Sequence, residues 1–189
     1  MSLFPRNFAV WGTATGGLTE VEAGAPYRYM LTRERLLPSG PIMMVIGVNP
    51  STATEETNDA TIRRCEDFAR DSGHATLWML NLFAYRATDV RELRTAADPV
   101  GRMNDHHLLG QANVVHLGPG ATRPGTVVCA WGPPSKVPRA LRARFAEVPA
   151  MLRRHGIPLH VLRLTSGGHP EHPVRLPKAL RPVPWSPDV

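Results

Sequence analysis

The sequence of 189 residues predicts an α/β fold: an open, mostly parallel sheet with helices covering both faces. Two observations carry this. Four short runs rich in Val, Ile, Leu and Met (Ile42–Val48, Thr76–Leu82, Thr126–Trp131 and Leu159–Leu164) have the length and continuity of strands buried on both faces. Segments of helical character separate them, and successive strands joined through helices run parallel. With 42% hydrophobic residues the chain can bury one sizeable core and not two, so residues 1–189 are expected to form a single α/β domain.

Residues 1–26 show no regular periodicity and are expected to be irregular. After the first strand, Asn58 or Asp59 can cap a helix running to Ser72, with Ile62, Cys65, Phe68 and Ala69 on one face and Gly73 as the stop. With the second strand this completes a β-α-β unit. Asp89–Ala97 and Asn104–Val115 read as helices, and Gly118-Pro119-Gly120 with Pro124-Gly125 reads as a linker to the third strand. A helix from Pro138 to His155 precedes the fourth strand, and Pro149 should kink or divide it. Residues 178–189 form a Pro-rich tail, expected to wrap the surface or fray.

Composition narrows the classes of function. No run approaches the ~20 apolar residues of a membrane span, and the first residues lack a signal-peptide pattern, so a cytoplasmic protein without membrane partners is expected. Two cysteines, Cys65 and Cys129, are too few for a cysteine-only cluster or zinc ribbon and read as buried thiols. The net charge of +6 is uneven: residues 1–106 hold 11 basic and 13 acidic groups, and residues 107–189 hold 11 and 3. Either an anionic partner near the C-terminal elements or a plain solvated basic surface accounts for that imbalance.

Ligands of open α/β sheets bind beyond the carboxyl ends of the strands, so the four loops there are the places to look. The first, Gly47-Val-Asn-Pro-Ser-Thr-Ala53, presents Asn49 on a turn fixed by Pro50, with Ser51 and Thr52 available to a phosphate or to local backbone. The second strand ends in Asn81. An unpaired amide in that apolar run costs ~1–3 kcal/mol, so it needs a partner, and its donor and acceptor suit a nucleobase edge. Phe83 and Tyr85 beyond it either stack on a base or belong to the core, and Arg86 either meets a phosphate or pairs with Asp89.

The third loop, Trp131-Gly132-Pro133-Pro134-Ser135-Lys136, looks structural. The fourth, Thr165-Ser-Gly-Gly-His169-Pro-Glu-His172-Pro-Val174, holds two imidazoles on a stiff segment. Two histidines three apart lack a third ligand and an aligning helix, so no metal is expected. A neutral imidazole donating to a developing anion suits the loop better. Nothing in the chain calls for a cofactor.

These residues carry a resemblance. Tyr27–Arg33, Gly47–Ala53, Asn58–Arg64, Asn81–Thr88, Ala130–Gly132 and Gly168–Pro173 together resemble the bacterial family labelled domain of unknown function 1643, across roughly Tyr27 to Pro177. More distantly, Gly-x-Asn-Pro after the first strand, Asn after the second, a Val-x-x-Trp-Gly third strand and a His-Pro loop after the fourth resemble the uracil-DNA glycosylase superfamily. That second likeness implies a three-layer α/β/α sandwich with a four-stranded parallel sheet ordered 2-1-3-4. It also implies that Asn49 positions a water, Asn81 reads the base and His169 stabilises the leaving base.

Two readings follow. The first is a nucleobase-recognising N-glycosidase acting on DNA or nucleotides. Its catalytic residues are Asn49 with His169 or His172, its base site is Asn81 with Phe83 and Tyr85, and its phosphate contacts are Ser51, Thr52, Arg86, Lys136, Arg139, Arg175 and Lys178. The second is a non-catalytic nucleic-acid or nucleotide binder of the same fold. In both, Lys136, Arg139, Arg175 and Lys178 are expected to flank the pocket mouth, with Arg175 neutralising Glu171.

Overall fold

A computed structural model describes residues 7–12, 26–34, 36–118 and 124–187. In chain order the strands are β1 (Ala9–Gly12), β2 (Tyr27–Arg33), β3 (Ile42–Gly47), β4 (Thr76–Asn81), β5 (Thr126–Cys129), β6 (Leu159–Val161) and β7 (Val183–Pro184). The helices are α1 (Ala60–Asp71), α2 (Asn104–Leu117) and α3 (Arg144–Arg154). The expected linker at Gly118–Gly125 lies largely outside the described residues.

The strands form one sheet in the order β1-β2-β4-β3-β5-β6-β7. Its middle is the predicted parallel set: β3 pairs in parallel with β4 and β5, and β5 with β6. The four predicted strands therefore sit side by side in the order second, first, third, fourth. The expectation of a four-stranded sheet is corrected to seven strands of mixed direction, because β1, β2 and β7 add antiparallel edges.

Side chains of the central strands alternate between two cores. Met43, Val45, Leu77, Met79, Val128 and Ala130 pack with Ile62, Cys65, Phe68 and Ala69 of α1. Met44, Ile46, Leu80, Val127 and Cys129 pack on the other face with Leu108, Ala112 and Val115 of α2 and Phe145, Val148 and Leu152 of α3. Burial on both faces explains why the predicted strands read as unbroken apolar runs.

The terminal expectations need correction. The segment 1–26, expected to be irregular, contains β1, and the Pro-rich tail contributes β7, whose residues pair with His160 and Val161. Pro184 is tolerated there because an edge strand has a solvent side that needs no donor. β2 was unrecognisable as a core strand because its two arginines are buried. Arg28 is 3% exposed and donates through Nη1 to the Ala53 carbonyl. Arg33 is 4% exposed; it donates to Asn58 Oδ1 at 2.7 Å and to the Thr54 carbonyl at 2.5 Å. Both guanidiniums thus fasten the segment between β3 and α1, which matters for the site.

Helix α1 is capped as the sequence indicates, with Asp59 Oδ1 accepting from the Ile62 amide at 2.8 Å. The helix expected at Asp89–Ala97 is a short 3-10 turn, Val90–Arg94, capped by Asp89. The predicted 138–155 helix is divided, but at Arg142 and Ala143; Pro149 is accommodated inside α3.

Burial holds the imidazoles of His107, His160 and His172 below the ordinary histidine value of 6.5. His107 stacks on Tyr29 at 4.9 Å, and neither of its ring nitrogens has a hydrogen-bond partner among the described residues. Because these folded-state values are depressed, the unfolded chain takes up protons first as the pH falls. The stability they contribute is complete above about 6.5 and is lost below it. The melting temperature is therefore expected to fall between pH 7 and pH 5, and His107→Leu to shrink that fall. An acid dependence identical in wild type and variant would refute this account.

Candidate functional site

At the carboxyl ends of β3, β4 and β5 lies a cleft of about 630 Å³. Its lining comes from Arg28 of β2, the loop after β3, the end of β4, the start of α1, the turn at Ala87–Glu92, Trp131, Lys136 and His172. This is the location expected of a ligand site in an open α/β sheet.

Asn81 forms the base of the cleft. It pairs in parallel register with Gly47, and a Cβ on Gly47 would lie 2.9 Å from Asn81 Oδ1. A side chain at that position would push the Asn81 amide from its place. The ladder continues past the strand ends through Leu82 N–H to the Gly47 carbonyl at 2.9 Å and Phe83 N–H to the Val48 carbonyl at 2.9 Å. Behind it, the buried Asn104 donates to the Asn81 and Leu82 carbonyls at 3.1 and 2.9 Å, and Arg144 Nε donates to the Leu82 carbonyl at 2.9 Å. The backbone of Asn81 is thereby clamped from both sides. Its side chain, on a residue only 5% exposed, has no hydrogen bond among the described residues.

Asn49 is held differently. Its amide nitrogen donates to the carbonyls of Pro50 at 2.9 Å and Ala87 at 2.7 Å, tying the loop after β3 to the loop after β4. Both amide hydrogens are committed, so what Asn49 offers the cleft is its carbonyl oxygen, an acceptor.

Asp59 also lines the cleft. One of its oxygens caps α1, and the other has no hydrogen bond among the described residues. The arginines of β2, bound to the carbonyls of Ala53, Thr54 and Thr57, set the path of the chain into this cap. Desolvation, and next the neighbouring Arg86, bring the Arg28 guanidinium down to about 10, while Asp59 acts in the opposite direction. The His172 imidazole is depressed by burial first and by the Lys136 ammonium second, with Asp59 offsetting part of the effect. At neutral pH the cleft therefore presents an uncharged imidazole.

Of the residues expected to act, Asn49, Ser51, Asn81, Lys136 and His172 come together here. His169 does not. It lines a second cleft of about 620 Å³, with Phe145, Pro149, Leu164 and Trp185. A bridge between Leu164 and Pro170 and a hydrogen bond from Gly132 N–H to the Pro170 carbonyl at 2.8 Å hold the intervening chain extended. Residues three apart on extended backbone project to opposite sides, so only one histidine can reach each cleft. Trp131, at the loop between them, lines both.

The remaining expectations divide. Phe83 is fully buried in the core, and Tyr85 packs edge-on against Tyr27 at 5.8 Å; neither lines the cleft. Thr52 and Arg86 lie outside the lining, and Arg139 lines an adjoining groove. Arg175 and Lys178 are exposed but line neither cleft nor groove. Glu171 is neutralised by Arg163, at 2.7 and 3.0 Å, and not by Arg175. Arg28 and Asp59 escaped sequence reasoning because one reads as a surface charge in a strand and the other is fully explained as a helix cap.

A family model described as "Protein of unknown function (DUF1643)" matches residues 28–174. The chain belongs to that family. For this DUF1643 chain the matched span begins at Arg28 and ends just past His172, so it takes in every residue of the cleft. No curated protein and no solved structure matches the chain. Among the described residues no helix is long and apolar enough to cross a membrane.

Proposed function

We propose that the cleft captures a nucleobase and that the protein is an N-glycosidase of the uracil-DNA glycosylase type, acting on a base in DNA or a nucleotide. The observation that carries this reading is the Asn81 amide: on a largely buried residue, without a partner among the described residues, and lining the cleft. Open to the cleft, that amide offers a donor and an acceptor in one plane, the pattern that a base edge complements. The order of the four parallel strands and the position of Gly47-Val-Asn-Pro50 after the first of them agree with the superfamily likeness.

The chemistry divides among the cleft residues. Water attacks the anomeric carbon of the sugar as the C–N bond breaks, and the bonding pair leaves with the base. Asn49 Oδ1 accepts a hydrogen bond from that water and Asp59 takes its proton. His172, in the role the sequence likeness assigned to His169, donates a hydrogen bond from its neutral ring to the base as negative charge develops. A neutral donor suits a weakly basic leaving group. The commitment of both Asn49 amide hydrogens to backbone favours a second reading, a binder without turnover.

Incubation of the purified protein with nucleotides and with single- and double-stranded oligonucleotides bearing uracil, mismatches or damaged bases, followed by chromatography of the released base, separates the two. Release is expected, with Asp59→Asn and His172→Ala each slowing it about 100-fold and His169→Ala leaving it within a few-fold. Tight binding with no release from any substrate establishes the binder instead, and equal rates for all three variants would overturn the assigned roles.

A further inference from the structure

Beside the cleft lies a second groove of about 550 Å³, lined by Arg91, Arg94, Ser135, Lys136, Val137, Pro138 and Arg139. Arg91 and Lys136 line both spaces, so groove and cleft adjoin. Among the described residues no acidic side chain lines the groove. Arg91 is paired with Asp89, at 2.5 Å. Arg94, Lys136 and Arg139 have neither an ion pair nor a side-chain hydrogen bond among the described residues, and all three are exposed.

Both walls of the groove are braced by their own hydrogen bonds. One is the 3-10 turn Val90–Arg94, closed by the reciprocal cap of Asp89 and Glu92. The other is the segment Pro134–Leu141, braced from behind by Arg142, which donates to the carbonyls of Val137 at 3.1 Å and Ser135 at 3.3 Å. Cations from segments more than forty residues apart are thus brought to one trough. Arg94, Lys136 and Arg139 have no acidic partner among the described residues, so an anion lying between them would be attracted by all three. The trough adjoins a cleft with an unpartnered amide suited to a base. Nucleoside recognition in the one and polyanion recognition in the other belong to a single molecule: a base attached to a chain of phosphates.

We infer that this groove seats the phosphodiester backbone of single-stranded nucleic acid, carrying one nucleotide's base into the cleft and its neighbours along Arg91, Arg94, Lys136 and Arg139. The inference rests on the nucleobase reading of the cleft and extends it to the partner: a strand and not a free nucleoside. A single strand fits better than a duplex because the base must arrive unstacked, which a strand supplies at no pairing cost.

Fluorescence anisotropy with a labelled oligodeoxythymidine, repeated from 50 to 200 mM salt, tests this. Binding is expected to weaken steeply with salt. The double variant Arg94→Glu/Arg139→Glu should lower affinity at least tenfold and reduce the log–log salt slope by about 1.4, at ~0.7 for each phosphate no longer neutralised. Its melting temperature should match wild type, since neither side chain has a partner among the described residues. Arg175→Glu/Lys178→Glu, outside the groove, should bind as wild type does. Equal weakening in the two double variants would overturn the inference in favour of a diffuse basic surface. Competition by thymidine monophosphate or tripolyphosphate at the strand's own affinity would overturn it in favour of a local phosphate site, and equal affinity for blunt duplex would overturn the single-strand preference. Asn81→Ala keeps the two proposals apart. It should leave the salt slope intact, so strand binding without base release sinks the glycosidase and spares the groove, and base release with no salt dependence does the reverse.

Discussion

Replacing Asn81 with alanine is expected to weaken capture of the best-bound nucleoside by about 10- to 100-fold, the ~1–3 kcal/mol that a two-point contact to a base edge supplies. The fold should not suffer. The Asn81 side chain has no hydrogen bond within the described residues, whereas its backbone is held by Asn104 and by the ladder to Gly47. Leucine is close to asparagine in size and the amide makes no hydrogen bond within the described residues, so Asn81→Leu should melt within a few degrees of wild type while losing binding. Asn81→Asp keeps the shape but replaces a donor with a charge in a buried position, and should lose both stability and binding. Titration calorimetry and thermal melts on the same preparations check this. A clear drop in melting temperature for Asn81→Leu, with binding unchanged, would make Asn81 a structural residue.

Replacing Phe83 with alanine should do the opposite. Phe83 is 0% exposed and packs in the core that α2 and α3 form on the sheet. Truncating a buried phenylalanine costs about 3–5 kcal/mol, which in a chain of this size lowers the melting temperature by roughly 6–20 °C. Below that temperature, nucleoside affinity should stay within a few-fold of wild type, because the ring does not line the cleft. A stable Phe83→Ala with tenfold weaker binding would restore the stacking role that its position after Asn81 suggested. Together the two substitutions separate a residue that serves the ligand from a near neighbour in the chain that serves the core.

The parallel centre of the sheet was legible because burial on both faces writes itself into the chain as continuous Val, Ile, Leu and Met, a signal that depends on no distant partner. The same holds for α1, whose cap and apolar face lie within one short segment. β2 was illegible because Arg28 and Arg33 are buried only by virtue of carbonyls more than twenty residues away. β7 was hidden because prolines argue against a strand unless an edge is available, and edges exist only once the sheet is assembled. The break ahead of α3 was not legible: the expected divider, Pro149, lies within α3, and the chain breaks earlier, at Arg142 and Ala143.

The candidate site divides along the same line. That Asn49 and Asn81 follow or end adjacent strands, and so meet at one end of the sheet, could be read from the chain alone, because strand ends and the loops after them are local features. Which histidine joins them could not, since it takes the bridge from Leu164 to Pro170 to turn His172 inward and His169 away. Packing also brought Asp59 into the cleft and set Arg91 and Arg94, from the half of the chain with no net basic charge, beside Lys136 and Arg139. Charge counted along a chain records composition, but a field depends on distance through space, and distances are set when the loops pack.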